Sequence, residues 1–165
     1  MENNGKTELT IPQFGNLPLM VLDLTLIKQG EDRLHEAQLV NPASYSELEY
    51  VYNEGYRQAK KHLSTIGYQI TRAEKAMREA KSVALLDEYP TFLKEKGMKD
   101  SAQIRDAYLE TVKNYTDAQD RIDMLKATES LLDSKVKVFE NTCRYMKVQI
   151  QLVLRSGMDV NKYVR

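Results

Sequence analysis

Basic side chains suited to phosphate binding are concentrated in one stretch of the sequence, residues 56–85. This stretch carries seven Lys and Arg against two Asp and Glu, and its basic residues are Arg57, Lys60, Lys61, Arg72, Lys75, Arg78 and Lys81. At helical spacings of seven, four and three residues, one side of the stretch presents Lys61, Tyr68, Arg72 and Lys75. Lys and Arg neutralise phosphates, and a Tyr ring can stack on a base. These seven basic residues and Tyr68, the basic flank, therefore predict sequence-independent binding of a nucleic-acid single strand.

The charge pattern of the chain also supports a second interpretation of the basic flank. Residues 101–133 carry seven Asp and Glu against four Lys and Arg, and residues 1–55 carry nine against three. Residues 134–165 are basic, with seven against two. If two long helices run antiparallel, the basic flank faces the acidic residues 101–133, and the basic residues 134–165 face the acidic residues 1–55. Each basic stretch then serves as the counter-charge of an acidic one. Both interpretations remain open from the sequence, and the exposure of the flank distinguishes them.

Residues for catalysis or metal binding form no recognisable pattern. His35 and His62 are far apart, and no HExxH, CxxC, GxGxxG or GxxxxGK[ST] motif occurs. Asp117, Asp120 and Asp123 share one predicted helix face, but such a run is more often a solvated or ion-pairing surface. We therefore predict that the protein is not an enzyme and holds neither a metal nor a cofactor.

The longest helical pattern, from Ser101 to Arg155, carries two apolar stripes. The first alternates steps of three and four residues, as in a heptad seam, and consists of Ile122, Leu125, Glu129, Leu132, Val136, Phe139, Cys143, Met146, Ile150 and Val153. The second repeats every seven residues and consists of Leu131, Val138, Tyr145 and Leu152. One neighbouring helix cannot cover both stripes. We predict that the second stripe is a homo-oligomer interface, unless residues 19–40 cover it within one chain.

A second long helix is predicted over residues 44–89. It begins at Ser44 and Glu47, which have capping-box spacing, and ends at Tyr89-Pro90. Its seam, again in threes and fours, consists of Tyr52, Tyr56, Ala59, Leu63, Ile66, Ile70, Ala73, Met77, Ala80 and Ala84. A connection over residues 90–100 contains Gly97, and Asp100 with Gln103 restarts the helix of residues 101–155.

The predicted fold is all-α: two long antiparallel helices form a coiled-coil-like hairpin, with short helices over residues 19–40. For a chain of 165 residues we expect a single domain over residues 17–165 and a flexible N-terminal arm over residues 1–16. Within the arm, the alternation of Leu9 and Ile11 with polar residues indicates a short extended segment. The most apolar run, residues 17–27, is too short to span a membrane and is interrupted by Asp23. We therefore expect a cytoplasmic protein with no membrane partner.

Two stretches carry a resemblance to a known family. The first long helix ends in AKSVAL over residues 80–85, and after a connection with a Tyr and a Gly the chain closes on LRSGMDVNKY over residues 154–163. In these stretches and in the order of its elements, residues 60–165 resemble the UvsY-type recombination mediators of tailed bacteriophages.

The resemblance implies a homo-oligomeric ring that binds single-stranded DNA and helps to load a RecA-like recombinase in place of a single-strand-binding protein, in the host-cell cytoplasm if the protein is phage-encoded. The family places two basic residues directly after Val-Ala-Leu, where this chain has Leu86 and Glu88. DNA contacts therefore carry over only to the basic flank and to Arg155, Lys162 and Arg165. The alternative is a helical assembly, adaptor or inhibitor protein that binds another protein.

Overall fold

The computed structural model describes the backbone of residues 6–160 and the side chains of residues 6–156. Most of these residues are helical, which confirms the predicted predominance of helix, and two short strands accompany them. The elements in chain order are the strands β1 (Glu8–Ile11) and β2 (Met20–Asp23), the helix α1 (Thr25–Asp32), a 3₁₀ segment (Leu34–Leu39), the long helix α2 (Tyr45–Val83), a π-helical turn (Ala84–Glu88), and the helices α3 (Tyr89–Lys96), α4 (Ala102–Leu109) and α5 (Lys113–Val160).

The N-terminal segment differs in part from its prediction. Within the predicted arm, β1 is the short extended segment expected at Leu9 and Ile11, but Ile11 is fully buried; residues 1–5 lie outside the described part. The predicted short helices of residues 19–40 begin as β2, which pairs with β1. In β2 the exposed Val21 is followed by the buried Leu22, which is the period-two alternation of a strand. Helix begins only at Thr25.

The start of α2 uses a different cap from the predicted one. The side-chain oxygen of Asn41 accepts hydrogen bonds from the N–H groups of Ala43 and Ser44, at 2.9 and 3.0 Å. Glu47 does not complete a capping box, because its carboxylate lies 2.7 Å from the guanidinium of Arg33. An Asn three residues earlier in the chain therefore takes the role predicted for Ser44.

The predicted end of the first long helix at Tyr89-Pro90 is wrong. Helical structure continues through the π-helical turn into α3, with Pro90 in the first turn of α3, where its missing N–H has no partner to lose. The buried Tyr89 ring holds this turn against Tyr108, at a centroid distance of 5.2 Å. Gly97 ends α3 in the left-handed conformation, at φ 60°.

The predicted helix of residues 101–155 is interrupted. A turn over residues 110–112 separates α4 from α5. The cap of α4 is Ser101, whose hydroxyl accepts from the N–H of Ile104 at 3.3 Å. The predicted cap, Asp100, instead accepts from the Tyr89 hydroxyl at 3.1 Å and pairs with Arg105 at 3.0 Å.

Contacts divide the chain into two compact units, which are described separately. Among the described residues, the first unit comprises residues 6–9, 22–64 and 130–160, and the second comprises residues 10–21 and 65–129. The single domain expected over residues 17–165 stays a prediction. In both units the predicted seam positions are buried or half-buried, except Val153. No helix in the described part of the chain combines the length and the apolar character needed to cross a membrane.

The core of the first unit closes around the ring of Phe139. A Cβ atom on Gly30 would lie 2.7 Å from a carbon of that ring, and one on Gly55 would lie 3.0 Å from it. Both glycines are buried, and the Tyr52 ring stacks on Phe139 at 6.2 Å between centroids. Glycine is therefore required at positions 30 and 55, because the Phe139 ring occupies the space that a Cβ atom would need at each of them.

The second unit contains a buried arginine that sequence reasoning missed. Arg121 is 4% exposed and donates hydrogen bonds to the carbonyl oxygens of Pro12 and Pro18, the latter at 2.9 Å. No carboxylate of the described residues pairs with Arg121. The pKa of its guanidinium is lowered mainly by burial and also by the positive charge of the nearby Arg72. The planar donor fork of Arg121 thus holds the connection between β1 and β2 onto α5.

Candidate nucleic-acid interface

Three members of the basic flank belong to the first unit. Arg57, Lys60 and Lys61 are all exposed on α2. Arg57 pairs with Glu54 of the same helix at 2.6 Å. The ammonium of Lys60 lies 5.6 Å from the ring centroid of Tyr56.

The other members of the flank lie on α2 in the second unit. Tyr68 is 63% exposed, and the guanidinium of Arg72 lies 5.9 Å from its ring centroid. Lys75 pairs with Glu79 at 3.7 Å, with both side chains largely exposed. Arg78 and Lys81 are exposed. Tyr68 with Arg72 thus forms an aromatic and cationic pair on the surface, which is the local chemistry of a single-strand-binding surface.

Among the described residues, two ion pairs join α2 and α5 at positions outside the basic flank. Within the second unit, Lys126 of α5 pairs with Glu74 of α2 at 3.8 Å, and within the first unit, Lys147 of α5 pairs with Glu49 of α2 at 3.3 Å. The Glu74–Lys126 pair has the acid on α2, opposite to the predicted counter-charge arrangement, whereas the Glu49–Lys147 pair joins the acidic residues 1–55 to the basic residues 134–165, as that arrangement predicts. Among the described residues, no salt bridge joins α5 to the second-unit members of the flank, which are Arg72, Lys75, Arg78 and Lys81.

The C-terminal candidates are only partly described. Arg155 is exposed near the end of α5. Lys162 and Arg165 lie outside the described residues. Their predicted DNA contacts stay predictions.

The predicted oligomer stripe lies on the surface of α5. Leu131, Val138, Tyr145 and Leu152 are between 38% and 53% exposed. The 3₁₀ segment approaches this face and, through Leu34 and Gln38, borders a groove beside Tyr145. It does not bury the stripe, so residues 19–40 do not provide the cover considered as the alternative to an oligomer.

A groove in the first unit brings together residues that sequence reasoning did not connect. It has a volume of about 500 Å³ and lies between α2 and α5. Its lining includes Asn53 and Tyr56 from α2, and Cys143, Arg144 and Lys147 from α5. The sequence patterns assigned Tyr56 and Cys143 to the seam and gave Arg144 and Lys147 no role.

The carboxylates and histidines considered for catalysis are separated in the fold. Asp117 pairs with Lys113 at 2.9 Å. His62 donates a hydrogen bond to the carbonyl oxygen of Asp23 at 2.7 Å, and His35 is exposed. Within residues 6–156, no three His, Cys, Asp or Glu side chains are close enough to share a metal ion.

Comparisons with known proteins give no relative: no protein-family model matches the chain, and no curated protein or solved structure matches it significantly.

Proposed function

We propose that this chain binds single-stranded DNA and acts as a homo-oligomeric recombination mediator that helps a RecA-like recombinase to replace a single-strand-binding protein. It uses no catalytic residue or cofactor. One observation carries the DNA-binding part: the flank residues of the second unit are exposed and have no salt bridge to α5 among the described residues. Side chains with free donors toward solvent are available to phosphates.

The charge around this part of the flank favours an anionic partner. Lys75 is paired only within α2, with Glu79, and an exposed pair at this spacing is weak and screened by salt. Arg121 adds a buried positive charge near Arg72 and has no carboxylate partner among the described residues. A phosphate beside Arg72 would also be attracted by the buried charge of Arg121, which supports the proposal.

We further propose that α2 and α5 form the antiparallel, left-handed coiled-coil-like hairpin expected from the sequence. Contacts within the first unit support it: the Phe139 ring lies against Gly55 and Tyr52, whereas Lys147, eight residues further along α5, pairs with Glu49. Positions that advance along α5 thus meet positions that go back along α2.

The homo-oligomer is proposed from the exposed stripe of α5. Four large apolar side chains at heptad spacing remain uncovered in the single chain, and such stripes usually mark interfaces. Val138→Lys should produce a monomer of 19.0 kDa by light scattering while leaving helix content unchanged. A monomer for the unmodified chain at micromolar concentration would refute the oligomer.

The mediator role rests on the family resemblance, and so does the host-cell cytoplasm as its location. At the two positions where the family has basic residues, Leu86 lies exposed in the π-helical turn, and Glu88 accepts from the Tyr108 hydroxyl at 3.1 Å. The proposal therefore assigns DNA contacts to the basic flank and to Arg155 and Lys162, and none to this turn. Stimulation of recombinase-catalysed strand exchange on DNA covered by a single-strand-binding protein tests the mediator role.

Fluorescence anisotropy with a labelled single-stranded oligonucleotide tests the DNA-binding part. The logarithm of the association constant should fall linearly with the logarithm of the salt concentration, with a slope of about 0.7 for each phosphate neutralised. The double variant Arg72→Gln/Lys75→Gln should lower both affinity and slope. Lys126→Gln is the matched control, because it also removes an exposed positive charge from the second unit but lies on α5 beside Glu74.

Absence of binding by the unmodified chain at low salt would refute the DNA-binding proposal. If the chain is nevertheless an oligomer, the exposed stripe of α5 favours the second candidate function, a helical assembly or adaptor protein. In that case the flank variants should leave assembly unchanged.

A further inference from the structure

The groove between α2 and α5 in the first unit, called the Tyr56 groove, combines an aromatic ring with basic side chains. Its volume of about 500 Å³ is large enough for part of a nucleotide, and its lining includes Asn53, Tyr56, Cys143, Arg144 and Lys147. The buried Phe139 ring also lines it. Because Phe139 is wedged against Gly30 and Gly55, this wall is rigid.

The charge of the Tyr56 groove favours an anion. Arg144 is exposed and has no salt bridge among the described residues, whereas Lys147 is partly compensated by Glu49 at 3.3 Å. Lys60 adds an ammonium 5.6 Å from the Tyr56 ring centroid. Glu140 is the acidic residue of the lining. Three cations thus stand against two carboxylates, and the least compensated of them, Arg144, has a guanidinium fork that suits a phosphate.

The larger cavity of the molecule is less suitable. It has a volume of about 710 Å³ in the second unit, and its lining includes Arg72 and Lys75. Glu79 and Glu88 line the same cavity, so an anion inside it would lie near two carboxylates, whereas the lining of the Tyr56 groove has one. The observations therefore favour the Tyr56 groove as the concave site for a nucleic-acid strand.

We infer that the Tyr56 groove binds one nucleotide of single-stranded DNA, with the base against the Tyr56 ring and the flanking phosphates at Lys60 and Arg144. The carboxamide of Asn53 offers both a donor and an acceptor to the base edge. A stacked base with phosphates held by Lys and Arg is how sequence-tolerant single-strand sites work. This inference rests on the proposed DNA binding and adds Asn53, Tyr56 and Arg144 to the predicted contacts.

The single cysteine of the chain reports on this groove directly. Cys143 lies in the lining, and burial raises the pKa of its thiol, so alkylation of the unliganded protein should be slow and should become faster as pH rises. Alkylation by iodoacetamide is measured with and without an oligothymidine whose binding is followed in parallel by anisotropy. If the strand occupies the groove, oligothymidine at about ten times its Kd should slow alkylation about tenfold, because only the unbound fraction reacts.

Groove variants provide the second measurement. Tyr56→Leu should lower affinity about five- to hundredfold, as expected for a lost stacking contact. Arg144→Gln should lower affinity and also reduce the salt slope by about 0.7. Lys137→Gln is the control, because it removes an exposed positive charge from α5 in the same unit, outside the groove lining. Melting temperatures check that Tyr56→Leu retains its fold.

The outcomes separate this inference from the function on which it rests. Slowed alkylation together with weakened binding by Arg144→Gln, but not by Lys137→Gln, supports the groove. Oligothymidine binding with unchanged alkylation, and with equal affinities for these two variants, overturns the groove and leaves the proposed DNA binding intact. No oligothymidine binding by the unmodified chain at low salt overturns both.

Discussion

Replacing Gly55 and Gly67 by Ala, one at a time, tests the packing of the first unit with a built-in control. Both glycines lie inside α2, where Ala is a better helix former by about 0.8 to 1 kcal/mol. A Cβ at Gly67 meets no atom within 4 Å, so Gly67→Ala should raise the free energy of unfolding by this full amount. A Cβ at Gly55 would lie 3.0 Å from two ring carbons of Phe139 and 3.2 Å from the carbonyl oxygen of Leu26.

The ring of Phe139 has little room to move from Gly55 towards Gly30. Its Cζ would be 3.0 Å from a Cβ at Gly55 and lies 2.9 Å from the point that a Cβ on Gly30 would occupy, so on that side the ring is close to the Gly30 backbone. Overpacking of this kind costs about 1 to 3 kcal/mol. The propensity gain is the same at both positions, so the difference between the two variants is the steric cost alone. Gly55→Ala should therefore be less stable than Gly67→Ala by about 1 to 3 kcal/mol.

Urea unfolding followed by circular dichroism measures this difference as a shift in midpoint at constant slope. The cost of Gly55→Ala should be smaller in a Phe139→Leu background, because the smaller side chain at position 139 frees space for the new methyl group. The difference between the two costs is the coupling energy of the double-mutant cycle. Equal stability of the two single variants, or a stabilising Gly55→Ala, would refute the placement of the ring between the glycines.

Three further predictions concern a charge in the core, the arginine fork and alkaline pH. Ile66→Asp should destabilise by about 3 kcal/mol or more, because Ile66 is fully buried, whereas Gln119→Asp is on the surface and should be tolerated; equal melting temperatures would contradict this. Arg121→Lys should increase hydrogen exchange in residues 12–18, because an ammonium lacks the fork that reaches two carbonyls; unchanged exchange would contradict it. Burial and the hydrogen bond to Glu49 raise the pKa of Tyr45 from 10.0 to about 12, so its contribution to stability is present below pH 10 and lost towards pH 12; Tyr45→Phe should remove that loss in urea titrations across this range.

The seams were predictable from the sequence because they depend on one local property, apolar spacing. Ile66 and Leu132 are buried where the steps of three and four residues place them. Propensity rules failed where a tertiary contact decided the local structure. Pro90 does not end the first long helix, since the π-helical turn and the packing of Tyr89 carry the chain past it. Glu47 does not cap α2, because Arg33, fourteen residues earlier, binds it.

The candidate interface was predictable only as a list of charges. Spacing placed Tyr68 and Arg72 on one face, and the structure brings them within 5.9 Å. Which acid would pair with which base depends on the register of α2 against α5, and the observed pair of Glu74 with Lys126 has the opposite sense to the one expected. Arg121 left no sequence signal, because its partners are backbone carbonyls and any residue supplies those.

The packing of Phe139 links the stability of the first unit to the inferred site. The same ring that contacts Gly30 and Gly55 lines the Tyr56 groove beside Cys143. A methyl group at position 55 must therefore displace the ring towards other neighbours, and the groove is one side on which it meets open space. Gly55→Ala should change the alkylation rate of Cys143 in the folded, unliganded protein, whereas Gly67→Ala should not. Identical rates for the two variants, with Gly55→Ala still destabilised, would show that the ring relaxes on a side away from the groove.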